Sequence, residues 1–263
     1  MEKAKKAWIN AAFLAVTLVI NTLGAVGVIN GLSQKEISDM YLTLITPSPS
    51  TFRIWSIIYT FLIISIVMMI VKKDDPYYQR ATEEITLFFR ISCVLNAVWI
   101  ISFSFVLVEI SVLFIFGFAV TLALICKKLL QMQTGNRWLL PLSFGLYTGW
   151  LLIATVVNTS AALVKLQWNG FGIADEIWAV ATLAIAVLLV AFIATKLQNA
   201  VVPLPVAWAY FGIYQFLSSP EGFKGVYPLL QITALVGMTV LIGLAAIRLH
   251  LNRYRLLPNP PAQ

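Results

Sequence analysis

Apolar runs of about 20 residues, separated by short polar stretches, recur from one end of the chain to the other. A hydrocarbon core about 30 Å thick takes about 20 apolar residues to cross as a helix. An unpaired backbone amide in that core costs several kcal/mol, so each run reads as a helix and not as a strand. Eight spans are predicted, over residues 8–30, 52–71, 85–107, 110–130, 138–160, 176–196, 202–218 and 227–248. The stretch from 85 to 130 is too long for one crossing, and Glu109, Ile110 and Val112 mark its turn. The connections are short; the longer ones, 31–51 and 161–175, fall on the same side. No clear internal repeat, linker or low-complexity segment interrupts the pattern.

Composition agrees with an all-α polytopic membrane bundle. Of the 263 residues 60% are hydrophobic and only 11% charged, where a soluble domain carries roughly 25% charged residues. Eight spans would use about 160 residues, which leaves no room for a soluble domain of any size. The positive charges then set an orientation. With the N-terminus inside, the cytoplasmic side collects Lys3, Lys5, Lys6, Lys72, Lys73, Arg80, Arg90, Lys127, Lys128, Arg137, Lys196, Arg248, Arg253 and Arg255. The outer side holds Lys35, Arg53, Lys165 and Lys224. This asymmetry follows the positive-inside rule and puts both termini in the cytoplasm. The net charge of +7 is therefore topology and lipid contact, not a nucleic-acid footprint. The first apolar stretch exceeds the length of a signal-peptide core, so it is expected to stay as an anchor.

Polar and aromatic residues gather in three spans. Pro47 and Pro49 precede a helix start at Ser50 or Thr51, and Trp55 and Tyr59 follow four residues apart on one face. The third span carries Asn96 and Trp99, three apart. In the fifth, Tyr147, Trp150, Ala154 and Asn158 form one helical stripe. At 1.5 Å per residue all three groups reach the outer half of the bilayer, beneath loop 31–51. They can close a pocket with aromatic walls, a few amides and a loop as lid, the usual make-up of a small-molecule site.

Other residues have simpler roles. Trp8, Trp138, Trp168 and Trp178 sit at span ends, where tryptophan marks the membrane interface. Asn96 and Asn158 are equally open to a role as interhelical hydrogen-bond glue. Gly145 with Gly149, and Gly27 with Gly31, read as close helix packing. Arg53 snorkels at the interface, or pairs with a lid acid or a ligand carboxylate. Glu109, Asp175 and Glu176 read as solvated interface charges. Trp208, Tyr210 and Tyr214 extend the pocket or pack, with packing favoured. Asn10 and Asn21 take no assignment. Residues 158–160 fit the glycosylation pattern but adjoin a span end. One histidine, His250, and two unpaired cysteines, Cys93 and Cys126, give neither a metal site nor a hydrolase set. With no ionisable residue at a midplane, a proton pump or ion channel is disfavoured.

The three segments resemble the tryptophan-rich sensory protein family, also called the translocator protein or TspO/MBR family. The resemblance rests on Phe52, Trp55, Ser56 and Tyr59 after a proline-bearing loop, on Leu95, Asn96 and Trp99, and on Trp150, Ala154 and Asn158. It covers about residues 7–165. Departures are Ile100 in place of a small hydroxyl residue, Pro-Ser-Pro in place of adjacent prolines, and three extra spans after residue 175. The resemblance implies a five-helix core, residues 1–167, and an added part, residues 168–263. It also implies a pocket lined by Trp55, Tyr59, Asn96, Trp99, Trp150, Ala154 and Asn158, residues that depth and periodicity also select; the helical stripe adds Tyr147. Family members bind porphyrins, sterols and synthetic aromatic ligands, and usually form dimers.

The expectation is thus an integral membrane sensor or carrier, in a bacterial plasma membrane, for a planar hydrophobic ligand such as a tetrapyrrole. No cofactor is firmly implied. Two alternatives belong to other classes: light-dependent porphyrin breakdown with Trp55 and Trp150 as redox-active indoles, and a small-solute transporter. The first has no ordinary acid–base set to draw on. The second lacks the internal repeats and broken helices common in transporters.

Overall fold

A computed structural model of the chain describes residues 2–259, with side chains described from residue 5 onwards. The side chain of Lys3, one of the topology charges, and residues 260–263 lie outside the described residues. The helices are α1 (Glu2–Ala25), α2 (Gln34–Met40), α3 (Ile54–Val71), α4 (Pro76–Ser104), α5 (Val108–Gln131), α6 (Leu139–Lys165), α7 (Asp175–Leu197), α8 (Pro203–Ser218) and α9 (Pro228–Leu251). Each expected span is a helix, and the all-α membrane bundle holds. All except α2 and α8 are long and apolar enough to cross a membrane.

The differences at the helix ends have local causes. α1 stops at Ala25 because Gly27 and Gly31 take φ of +78° and +77°. Left-handed backbone ends a helix, so this glycine pair makes a turn and does not pack two helices. α4 starts about nine residues earlier than its apolar run. Asp75 caps it by accepting from the Tyr77 amide at 2.9 Å, and Pro76 occupies the first turn. The α4–α5 turn lies at Phe105–Leu107, before Glu109. There Val106 adopts φ +61°, costly for a β-branched residue. Lys165 holds the turn by donating to Val106 O at 2.6 Å and Glu109 Oε2 at 2.7 Å. Glu109 is accordingly an ion-pair partner and not a free interface charge.

Buried polar pairs fix the helix neighbours. α1 and α4 run side by side in one direction. Asn10 donates to Thr86 Oγ1 at 2.9 Å and accepts from Arg90 Nε at 2.9 Å. Further along, Asn21 donates to Asn96. Ser65 on α3 meets Ser143 on α6 at 2.7 Å. At the end opposite α2, Lys128–Glu84 ties α5 to α4 at 2.8 Å and Arg137–Asp75 ties the α5–α6 loop to the cap of α4 at 3.0 Å.

α8 has 16 residues, about 24 Å of helix, shorter than a hydrocarbon core. Its start is deep in the bundle. Asn199, 1% exposed, donates to Pro141 O at 2.8 Å near the beginning of α6. Two turns further along α6, a Cβ on Gly149 would lie 2.1 Å from Val202 O. Residues 199–202 are all buried. The tail folds back beneath them: the Ala200 amide donates to Leu256 O at 3.0 Å, and Leu257 is 1% exposed. Gly145 and Gly149 therefore do serve close packing, with the α7–α8 connection as their partner.

Gly149→Ala should lower stability by about 1–3 kcal/mol, because backbone and not a flexible side chain fills the space. Gly243→Ala, on α9 with nothing within 4 Å, should be neutral or stabilising. Thermal unfolding of the two variants in detergent compares them; equal unfolding temperatures would contradict the packing described.

Candidate functional site

The half of the bundle nearest α2 contains a crevice enclosing about 90 Å³, within roughly 690 Å³ of free space once its open mouth is counted. One face of α6 forms its longest wall: Trp150, Ile153, Ala154, Val157, Asn158 and Ala161. These positions alternate by three and one, so they make a single helical stripe about 16 Å long. Phe52 comes from the 3-10 turn just before α3, Trp55 from the start of α3, and Trp99 and Phe103 from the end of α4. Gln34 and Ser38, four apart on α2, and Pro47 form the roof, while Ala209 of α8 closes another side.

The rings interlock about Trp55. Its centroid is 5.2 Å from Tyr59 in a stacked pair, 6.4 Å from Trp99, 5.9 Å from Tyr147 and 6.0 Å from Trp150. Phe52 sets its edge to Trp150 at 6.0 Å. Such pairs contribute about 0.5–1.5 kcal/mol each beyond their buried area. They hold the indoles as a rigid cage and not as lipid-facing rings: Trp99 is 9% and Trp150 2% exposed.

The asparagine amides of the site are paired inside the protein. Asn158 Oδ1 accepts from Trp99 Nε1 at 3.0 Å, and its Nδ2 donates to Ser111 Oγ at 3.0 Å. This residue borders the crevice and also ties α4, α5 and α6 together. At 5% exposed it offers no free amide for glycosylation. Asn96 lies below the crevice, fully buried. It accepts from Asn21 and donates to Tyr147 Oη at 3.1 Å, while Tyr59 Oη donates to Asn21 Oδ1 at 3.0 Å. Tyr59, Asn96 and Tyr147 thus form a hydrogen-bonded floor with Asn21, under walls made by Trp55, Trp99, Trp150, Ala154 and Asn158. Asn10 and Asn21, unassigned from sequence, are both interhelical ties.

One polar group differs. Trp150 Nε1 is buried and has no hydrogen-bond partner. An unpaired buried donor costs about 1–3 kcal/mol.

Several lining residues carry little sequence signal. Gln34 and Ser38 sit on α2, inside what reads as a loop. Its Ser33–Glu36 capping box was the available clue: Ser33 Oγ accepts from the Glu36 amide at 3.2 Å, and Glu36 Oε2 from the Ser33 amide at 2.7 Å. These bonds hold the Glu36 carboxyl below its ordinary value, with the Ser33 amide contributing most. Ile153, Val157 and Ala161 extend a stripe already visible. Ala209 has no signal at all. Arg53 is exposed and outside the lining. Trp208 and Tyr210 are bonded to backbone, donating to Thr51 O at 2.9 Å and Leu183 O at 2.6 Å. Trp168 and Trp178 pack on each other at 5.0 Å and are not among the residues lining the crevice.

Compared with known proteins, residues 7–247 match the family described as TSPO-like protein. No curated protein and no solved structure matches the chain.

The Trp99–Asn158 bond can be measured by a double-mutant cycle. Asn158→Ala and Trp99→Phe should each destabilise, and the pair should couple by about 1–3 kcal/mol. Additive losses in detergent unfolding would deny the bond.

Proposed function

The chain belongs to the TSPO-like protein family, whose match runs from residue 7 to residue 247, and on that footing we propose that it is a membrane sensor or carrier that binds a flat, largely apolar ligand. The observation that carries this reading is the unpaired Trp150 Nε1 beside a crevice walled by rings. A ligand with planar faces gains stacking on the cage, and an acceptor on its edge satisfies the indole N–H. A tetrapyrrole meets both requirements, with its aromatic macrocycle and its carboxylate or carbonyl oxygens.

Size adds a condition. The enclosed 90 Å³ is smaller than the engineered cavity of about 150 Å³ that takes benzene. A macrocycle binds only if the roof moves. The roof is α2 and the segment through Pro47, the parts of the site outside the long helices, and lids of this kind open on the microsecond-to-millisecond scale. Binding therefore changes the shape of the surface at this end, which is what a sensor requires. The basic residues at the opposite end support an orientation with the roof away from the cytoplasm.

Protoporphyrin IX titrated into the full chain in detergent should quench tryptophan fluorescence saturably. Trp150→Phe keeps the ring and removes the donor, and should weaken binding about tenfold, the equivalent of one hydrogen bond to a buried group. Absence of quenching in the wild-type protein, or unchanged affinity in Trp150→Phe, would defeat the proposal.

A further inference from the structure

The C-terminal helices are connected to the roof of the crevice at several points. Residues 46–53 form a strap that passes from α2 into α3. The Ser48 amide donates to Gly212 O at 2.9 Å, and Ser48 Oγ donates to Gln215 Oε1 at 3.2 Å. Trp208 Nε1 donates to Thr51 O at 2.9 Å. Trp208, Gly212 and Gln215 fall at i, i+4 and i+7 of α8, so one stripe of that helix meets the strap.

The approach is also steric. A Cβ on Gly212 would lie 1.9 Å from Thr51 Oγ1 and 2.8 Å from Thr51 Cβ. Glycine is the residue that lets the strap lie this close. Thr51 itself is 1% exposed. Next to this contact, Ala209 is 1% exposed and borders the crevice opposite rings from the N-terminal helices. Ala209 is small where Trp55, Trp99, Trp150 and Phe103 are large.

We infer that α8 is the specificity wall of the crevice. The side chain at 209 sets the thickness of ligand that fits, and the contacts of Trp208, Gly212 and Gln215 with the strap set how readily the roof opens. The first half of this rests on the ligand-binding reading above; the second concerns the ligand-free protein. Trp208, Gly212 and Gln215 are positioning residues that act through the strap, and Ala209 is the one that meets the ligand. α8 is the shortest of the membrane-embedded helices, and its start is fixed by the buried 199–202 connection. Its 209–215 stretch is thereby held at the level of the roof.

Two measurements on the full chain in detergent separate these statements. In the first, protoporphyrin IX is titrated against wild type, Ala209→Leu, Ala209→Gly and Trp150→Phe, with unfolding temperatures recorded alongside. Leucine at 209 adds three carbons to the crevice and should weaken binding by about tenfold or more while the unfolding temperature holds. Glycine should leave binding unchanged or tighter. If Ala209→Leu folds and binds like wild type while Trp150→Phe does not, α8 is no wall, and the ligand reading survives without it. If Ala209→Leu fails to fold, Ala209→Gly decides: weaker binding in it overturns the wall, and equal or tighter binding supports it. In the second, amide hydrogen exchange is followed over residues 46–53 without ligand. Trp208→Phe and Gly212→Ala should speed it about threefold to tenfold, the loss expected for one hydrogen bond. Wild-type exchange in both variants overturns the anchoring, whatever the porphyrin titration gives.

Discussion

A buried amide must find its partner inside the protein, because a bilayer core has no water to offer it. Buried Asn10, Asn96, Asn158 and Asn199, with half-buried Asn21, carry this constraint between the helices. Asn10 joins α1 to Thr86 and Arg90 of α4. Asn21 and Asn96 join α1 to α4 and, through Tyr59 and Tyr147, to α3 and α6. Asn158 joins α6 to Trp99 and Ser111, and Asn199 fixes the α7–α8 connection to Pro141. Apolar side chains of the same size would pack against lipid nearly as well as against each other. Directional bonds are what select these neighbours over others.

The crevice follows from this arrangement. Once Asn96 and Asn158 hold α4 against α6 and α1, the tryptophans at positions 99 and 150 have their places, and Trp55 fills the space between them. The rings support one another, but they leave a gap on the side where α8 contributes only Ala209. The pairing that is nearly complete below the crevice stops at Trp150 Nε1. A satisfied floor thus lies under one wall residue whose buried donor is unpaired.

The two ends of the bundle differ in how they are closed. Both ends carry ion pairs, Lys165–Glu109 at the α4–α5 turn near the roof and Lys128–Glu84 and Arg137–Asp75 opposite it, but only the opposite end is also packed by the returning tail. At the roof, the short helix α2 depends on one capping box and on Ile37, and the strap depends on α8.

The sequence by itself determined the long helices and their alternation, because hydrocarbon imposes a helical backbone and a minimum length on a crossing segment; it did not show α2, or that α8 is shorter than a crossing helix. It also determined the stripe on α6 and the shared level of Trp55, Trp99 and Trp150, since periodicity and depth are properties of a single helix. Helix ends were less legible. The polar first turns of α4, with Tyr77, Tyr78 and Arg80, conceal a helix that continues beyond the apolar core, and Gly27 ends α1 through backbone conformation and not through hydropathy. Only the tertiary structure decided which amides border the crevice and which lie beneath it, that Gly149 and Gly212 accommodate a connection and a strap, and that Ala209 borders the crevice. These depend on contacts between segments separated by scores of residues, and a small side chain such as alanine or glycine leaves no trace in a sequence of what will come to lie against it.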